Sequence, residues 1–156
     1  MGATWQAAPV RTLTDAEWRA YDHVPPAVAA RARVIRVPIL FAGADGMTLD
    51  RFVLLRRDDP GDRTGERELL AHELVHAVQW AELGVARFLW RYATAYLRNR
   101  RRLGGHRDAY LAIPFEEEAR AAAAGWAAAR AEGSFQPLLV HETTSKRARF
   151  KDQNPR

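Results

Sequence analysis

Hydrophobic and polar positions follow a helical period over much of the second half of the chain. An apolar run at Leu69–Trp80 is long enough for a buried helix, and apolar residues recur at helical spacing over Val85–Leu97. A third segment, the alanine-rich stretch Ala119–Ala131, follows Pro114, which suits the first turn of a helix because proline lacks an N–H. This pattern predicts long helices in this part of the chain.

Shorter signals occupy the first half. Thr14 to Glu17 has the form of a capping box that opens a short helix, and a second helical turn is expected from Pro26 to Ala32. Two β-branched and apolar runs, 33–41 and 51–56, predict strands, the second returning after the Asp45-Gly46 turn signal. Pro38 in the first run predicts a sheet edge or a bulge. A last short strand or packing segment is expected at 138–140.

Length and composition predict one small domain of the α+β class. The chain has 156 residues, of which 47% are hydrophobic, and no apolar stretch of about eighteen residues that would span a membrane. Its first residues lack the features of a secretory signal and it has no cysteine, so a cytoplasmic protein is expected.

The net charge of +5 comes almost entirely from arginine, and alanine is abundant, which indicates a coding preference more than a nucleic-acid partner. Nucleic acid is therefore not predicted as a partner. The helix at Val85–Leu97, which closes on the basic run Arg98–Arg102, is interpreted as a core-packing amphipathic helix. A contact with a membrane surface or with nucleic acid stays open as its alternative.

The strongest chemical signal is the H-E-x-x-H sequence from His72 to His76. Positions i and i+4 of a helix share one face, so the two histidines can offer imidazole nitrogens to one metal ion. Glu73 lies one step round and can reach a metal-bound water as its general base. Zinc suits this chemistry because it acidifies a water and polarises a carbonyl. The alternative is a pair of surface histidines that share a face by chance.

A catalytic zinc needs a third protein ligand. Cysteine is absent, the remaining histidines are His23, His106 and His141, and none of them follows His76 closely. A carboxylate from a second helix is left, and the best supply is the run Glu116–Glu118. The alternative for this run is a solvated helix N-terminus that the helix dipole stabilises.

Both motifs resemble known families. His72–Gln79 and Pro114–Ala119 are similar to the H-E-L-x-H-x-x-Q and P-[FL]-E-x-E-A patterns of small bacterial zincin-like domains of unknown function. An H-E-x-x-H motif followed further along by E-x-x-A resembles the gluzincin metallopeptidases, including the minigluzincins. The resemblance covers roughly residues 34–130.

The resemblance implies a zincin-like domain at 33–133, with a small sheet packed beside the active-site helix and a second ligand-bearing helix. A helical segment, 1–32, would precede it, and a tail, 134–156, is expected to be disordered. The strand expected to border the cleft is 51–56. Zn²⁺ would be held by His72, His76 and Glu116, with Glu118 as the runner-up for the third ligand and Glu117 pointing elsewhere.

The implied function is zinc-dependent hydrolysis of peptide bonds in a peptide or protein, with Glu73 as general base on the zinc-bound water. Tyr110 or His106 would donate to the oxyanion, and the alternative for each side chain is ordinary packing or a helix cap. The peptidase pattern carries an aspartate, which supports a ligand, where this chain has Arg120. A non-catalytic, zinc-stabilised protein-interaction module is therefore the second hypothesis.

Overall fold

The computed structural model describes residues 10–40, 44–56 and 63–134. The elements in these ranges are β1 (Val10–Arg11), α1 (Asp15–Ala20), α2 (Pro26–Arg31), β2 (Arg33–Val37), β3 (Gly46–Leu49), β4 (Phe52–Arg56), α3 (Arg63–Leu83), α4 (Val85–Leu103), α5 (His106–Leu111) and α6 (Pro114–Ser134). The predicted α+β class is confirmed. The strand expected at 138–140 and nearly all of the tail expected at 134–156 lie outside the described residues.

The four strands form one mixed sheet in the order β1-β2-β4-β3. The predicted direct return from the first β run to the second is wrong, because β2 and β4 are parallel and β3 lies between them in the chain. The tight turn is at Asp50-Arg51, between the antiparallel strands β3 and β4, and Asp50 has a φ of 55°. The turn predicted at Asp45-Gly46 is wrong, because Gly46 is the first residue of β3.

The expectations for Pro38 and for the strand beside the cleft also need correction. β2 lies between β1 and β4 and ends at Val37, so Pro38 ends an internal strand instead of marking an edge. β4 pairs on both sides, so it has no free edge for a ligand. Among the described residues, the edge strand that packs against α3 is β3.

Helix α3 packs between the sheet and α6, which explains why its sequence is apolar on several faces. Leu74 on α3 is fully buried, as are Val53 and Leu55 on β4 and Ala119 on α6. Burying large aliphatic side chains of this kind stabilises a domain by about 1.5–3 kcal/mol each. The central position of α3 places any group on its surface between two packed layers.

The predicted helix ends are confirmed where local signals define them. Thr14 and Glu17 form the capping box of α1, and α4 ends at Gly104, whose φ is 73°. The core-packing interpretation of α4 holds for one face only: Phe88 is buried, whereas Leu89 and Leu97 are about half exposed. None of the helices in the described part of the chain is long and apolar enough to cross a membrane.

The segment between β1 and β2 packs into the same core. The ring of Tyr21 stacks on Trp126 of α6 with centroids 5.0 Å apart, and the indole N–H of Trp126 donates to the Ala20 carbonyl at 2.7 Å. Burial raises the pKa of Tyr21 to about 12. The domain boundaries at 32 and 133 stay predictions, but residues of the segment 21–32 and of α6 share one hydrophobic cluster.

Candidate metal centre

The two motif histidines share one face of α3. Their Nε2 atoms are 3.1 Å apart and their ring centroids are 4.8 Å apart. His76 is buried, whereas the side chain of His72 keeps 16% of its exposure, so the site opens to solvent on the side of His72. The i and i+4 spacing therefore places two imidazole nitrogens side by side, as the sequence predicts.

Glu116 reaches the same point from α6. One carboxylate oxygen, Oε2, lies 3.4 Å from Nε2 of His72, and the other, Oε1, lies 3.4 Å from Nε2 of His76. The candidate ligand atoms of the three residues all lie within 4.8 Å of one another. Glu117 and Glu118 are exposed on other faces of the helix, so Glu116 is the member of the acidic run that faces the histidines.

The electrostatics of this cluster fit a cation. Oε2 of Glu116 is buried and has no hydrogen-bond partner in the described part of the chain. Burial alone would raise the pKa of Glu116, but the rings of His72 and His76 outweigh it and hold that pKa well below its usual range. Burial lowers the pKa of His76, but Glu116, with Glu73 and Gln79, outweighs burial and raises that pKa above its usual value. The buried carboxylate of Glu116 therefore lies beside two imidazole nitrogens that could bind a metal ion.

Gln79 connects His76 to the second helix. Its Oε1 lies 2.8 Å from Nδ1 of His76, on the side of the ring opposite Glu116. Its Nε2 donates to the Phe115 carbonyl at 3.1 Å and to Oε2 of Glu118 at 2.9 Å. Gln79 is only 4% exposed. The runner-up ligand, Glu118, thus contacts Gln79 and not the cluster of ligand atoms.

Two tyrosines lie close to Glu116. The Tyr92 hydroxyl, on α4, donates to Oε1 of Glu116 at 2.8 Å. Burial and the Glu116 charge raise the pKa of Tyr92 and of Tyr110 well above the usual value, so both hydroxyls stay protonated. Tyr110, the predicted oxyanion donor, lies on α5 and is 38% exposed, which leaves its side chain accessible beside the site.

The predicted general base, Glu73, is 4% exposed and is held by strand β3. Thr48 Oγ1 donates to Oε2 of Glu73 at 2.7 Å. A Cβ placed on Gly46 would come within 2.5 Å of Oε1 of Glu73, so the strand approaches the carboxylate closely only because position 46 has no side chain. Burial raises the pKa of Glu73, and the histidines and Thr48 lower it in part.

A second contact fixes β3 to α3. In an antiparallel pair, the backbone groups of successive residues face the partner strand and the opposite side in turn. The Arg56 N–H donates to the Asp45 carbonyl, so Asp45 faces β4 and the backbone groups of Gly46 and Thr48 face away from it. The indole N–H of Trp80 donates to the Thr48 carbonyl at 3.1 Å. At the outer edge of β3, the Thr48 N–H faces away from β4, and Gly46 lies beside Glu73.

Other residues considered from the sequence lie elsewhere. His106, the alternative oxyanion donor, bonds to the Tyr96 hydroxyl at 2.8 Å on an exposed surface. His23 bonds to the Ala71 carbonyl at 3.0 Å. The Arg120 guanidinium donates to the Leu111 carbonyl and ties α6 to the end of α5. His141 lies outside the described residues.

Sequence reasoning missed Gly46, Thr48 and Tyr92. The Asp45-Gly46 pair has the composition of a turn, and Tyr92 lies within the apolar periodicity over Val85–Leu97. No signal in the sequence distinguishes Thr48 from other strand threonines. Gln79 belongs to a motif that the sequence revealed, but its partners lie more than thirty residues away, at Phe115 and Glu118.

Comparison with known proteins gives one finding. No curated protein matches the chain. No solved structure matches it either. Residues 39–83, less than half of the chain, match the model of the family described as the eCIS core domain. This segment contains β3, β4 and the two motif histidines of α3, but not Glu116. The chain is therefore similar to the eCIS core domain over strand β3 and helix α3, which carry the two histidines and Glu73.

Proposed function

We propose that the chain is a zinc-dependent, metallopeptidase-like hydrolase of peptide bonds with a zincin-like fold. The observation that carries the proposal is the position of Glu73. This buried carboxylate bonds to Thr48 at 2.7 Å and interacts electrostatically with His72, His76 and Glu116. Two imidazoles, a ligating carboxylate and a second, separately held carboxylate are the parts that metal-assisted hydrolysis needs.

The residues present fit a zinc ion. His72, His76 and Glu116 offer two nitrogens and a carboxylate, a set of three protein ligands that leaves one position open. The unpartnered Oε2 of Glu116, buried beside Nε2 of His72, supports a cation there. When bound, zinc supplies a Lewis acid that acidifies water and polarises a carbonyl.

Glu73 would take a proton from the attacking water and pass it to the leaving amine. Burial raises its pKa, which makes the carboxylate a better base than an exposed glutamate. Thr48 uses only Oε2 in the described structure, so Oε1, which faces Gly46, is left for proton transfer. Tyr110, protonated and partly exposed, would donate to the developing oxyanion.

The proposed substrate class is an extended peptide. The outer edge of β3 presents backbone groups of Gly46 and the Thr48 N–H beside Glu73. An added strand is recognised through such groups, which read the backbone of a substrate and not its side chains. Trp80 already occupies the Thr48 carbonyl, so the pairing would be short.

One residue favours a second candidate, a zinc-stabilised interaction module without catalysis. Arg120 stands where the peptidase pattern has a supporting aspartate, and its guanidinium bonds to Leu111 instead of a metal ligand. A module of this kind would keep the metal and the packing of α3 on α6, and Glu73 would serve only as a buried partner of Thr48.

Elemental analysis of protein purified without chelators tests the metal, and we expect about one zinc per chain for the three-ligand site. Glu116→Gln should weaken zinc binding, whereas Glu117→Gln, an exposed change on the same helical turn, should not. Protein that is empty and fails to take up added zinc would contradict the metal site.

Cleavage of an unfolded protein or a broad peptide library then separates the two candidates. Glu73→Gln should keep its zinc and lose cleavage, and Glu82→Gln, an exposed change on α3, should retain both. Cleavage that persists in Glu73→Gln would come from a contaminating protease. A library left intact by zinc-loaded wild-type protein would favour the interaction module.

A further inference from the structure

We propose that Gln79 and Glu118 form a relay that fixes the proton of His76 on Nδ1 and thereby aims Nε2 at the metal. Gln79 is a positioning residue in this relay and Glu118 is its anchor. The inference rests on the proposed metal site and assigns a role to two residues that would not touch the metal.

The relay follows from donor and acceptor chemistry. The two groups that face the Gln79 amide from α6 are the Phe115 carbonyl and the Glu118 carboxylate, at 3.1 and 2.9 Å. Both only accept hydrogen bonds, so the nitrogen of the amide must face them. The amide oxygen must then face His76, 2.8 Å from Nδ1. An oxygen there accepts a hydrogen bond only if Nδ1 carries the proton.

A protonated Nδ1 leaves Nε2 as the free nitrogen of the neutral ring. That atom is the one that lies 3.1 Å from Nε2 of His72 and 3.4 Å from Oε1 of Glu116. Metal-binding histidines commonly donate their other N–H to a neighbouring acceptor, which orients the ring. The amide oxygen of Gln79 is that acceptor for His76. Glu118 accepts from the amide nitrogen and so keeps the oxygen turned towards His76.

Burial makes this polarity rigid. Gln79 and His76 are 4% and 6% exposed, so water cannot easily replace either partner. A reversed amide would place its oxygen against two acceptors and leave buried polar groups unpaired, which costs about 1–3 kcal/mol for each group. The relay also accounts for how His76 is oriented although Arg120 replaces the aspartate of the peptidase pattern.

Zinc affinity, measured by competition with a chromophoric chelator, provides the first test. Gln79→Leu keeps the approximate volume and removes the relay, and it should weaken zinc binding by about 10–100-fold, as changes to such outer partners do. Glu117→Gln is the control, because it changes an exposed residue of α6 that lies outside the relay, and it should bind zinc like the wild type. Equal affinities of Gln79→Leu and wild type would overturn the proposal.

A charge exchange tests the polarity itself. Gln79→Glu alone places a carboxylate against Glu118 and should weaken zinc binding. Adding Glu118→Gln places an amide at position 118 that donates to the new carboxylate at position 79. That carboxylate can still accept a hydrogen bond from His76. The double variant should therefore recover part of the lost zinc affinity. A double variant weaker than Gln79→Glu would contradict the relay.

The tautomer separates failure of the relay from failure of the proposed function. Nitrogen NMR of zinc-free wild-type protein, at alkaline pH where the ring is neutral, should show the His76 proton on Nδ1. A proton on Nε2 overturns the relay whether or not zinc binds. A proton on Nδ1 in a protein that takes up no zinc supports the relay and contradicts the metal site. The measurement needs no variant to fold.

Discussion

Thr48 on the edge strand and Glu73 on the central helix share a buried hydrogen bond of 2.7 Å. The threonine is 7% exposed and the glutamate 4%, so the bond lies away from water. Thr48 Oγ1 also lies 3.0 Å from the backbone carbonyl of Glu73. The strand therefore holds both the carboxylate and the helical turn that carries it.

The first prediction concerns this bond. Thr48→Val keeps the shape of the side chain and removes the hydroxyl, which leaves a buried carboxylate oxygen without its donor. Because a hydrogen bond to a charged group is worth about 1.5–3 kcal/mol, peptide cleavage should fall by about tenfold or more. Zinc content should be unchanged. Thr94→Val, on the exposed face of α4, is the control, and equal activity of both variants would remove Thr48 from the site.

A methyl group at position 46 should displace the predicted base. Gly46→Ala brings Cβ within 2.5 Å of Oε1 of Glu73, whose carboxylate is buried and already bonded to Thr48. We expect loss of cleavage, retained zinc and a lower melting temperature. Gly125→Ala is the matched control: nothing lies within 4 Å of the added carbon in α6, so this change should stabilise the protein by about 0.5–1 kcal/mol. Full activity of Gly46→Ala would show that Glu73 can move aside freely.

The half of the site that local spacing encodes could be predicted from the sequence. His72 and His76 lie together because helical geometry alone places i and i+4 side by side. The start of α6 at Pro114 and the family resemblance placed Glu116 opposite them. These three residues converge in the structure, while their roles as ligands and that of Tyr110 as a donor stay predictions.

Contacts between distant elements could not be predicted. The Asp45-Gly46 pair has the composition of a turn, but Gly46 is the first residue of a strand and packs against Glu73, a residue far away in the sequence. Strand order was missed for the same reason: the sequence shows two β runs, and β3, only four residues long, carries little periodicity. The bond of Tyr92 to Glu116 depends on the angle between α4 and α6, which no local pattern encodes.

Tyr92 is expected to support the third ligand. Tyr92→Phe removes the donor 2.8 Å from Oε1 of Glu116, so zinc affinity should fall by about 10–100-fold, the usual cost of losing an outer partner of a ligand. Tyr96→Phe, on the same helix as Tyr92, removes a hydroxyl that bonds to the exposed His106 of α5, and it should leave the affinity unchanged. If both variants bind zinc like wild type, Tyr92 has no part in holding Glu116.

Tyr110 is expected to act on turnover and not on metal binding. Its hydroxyl is protonated and partly exposed beside Glu116, as an oxyanion donor must be. Tyr110→Phe should lower kcat by about 10²-fold or more, the cost of removing one such donor, with zinc content and KM little changed. A variant with wild-type kcat would assign Tyr110 to packing, and the oxyanion donor would have to be another group.

The stability of the fold should depend on pH through His23. Its ring packs near Trp126, its Nε2–H donates to the Ala71 carbonyl, and its buried Nδ1 has no partner in the part of the chain that the structure describes. Burial lowers the pKa of His23 below the ordinary value of 6.5. The unfolded chain therefore binds a proton before the folded chain does, and unfolding becomes easier as the pH falls below 6.5 towards the pKa of the folded state.

We expect urea unfolding to show this loss in wild-type protein and less of it in His23→Gln. Glutamine can still donate to the Ala71 carbonyl but does not titrate, so the difference between the two pH profiles isolates His23 from the other ionisable groups. Above pH 6.5 the two profiles should run parallel, because the ring is neutral in both the folded and the unfolded state. Parallel profiles from pH 8 down to pH 5 would show that the buried ring accepts its proton as readily in the folded protein as in the unfolded chain.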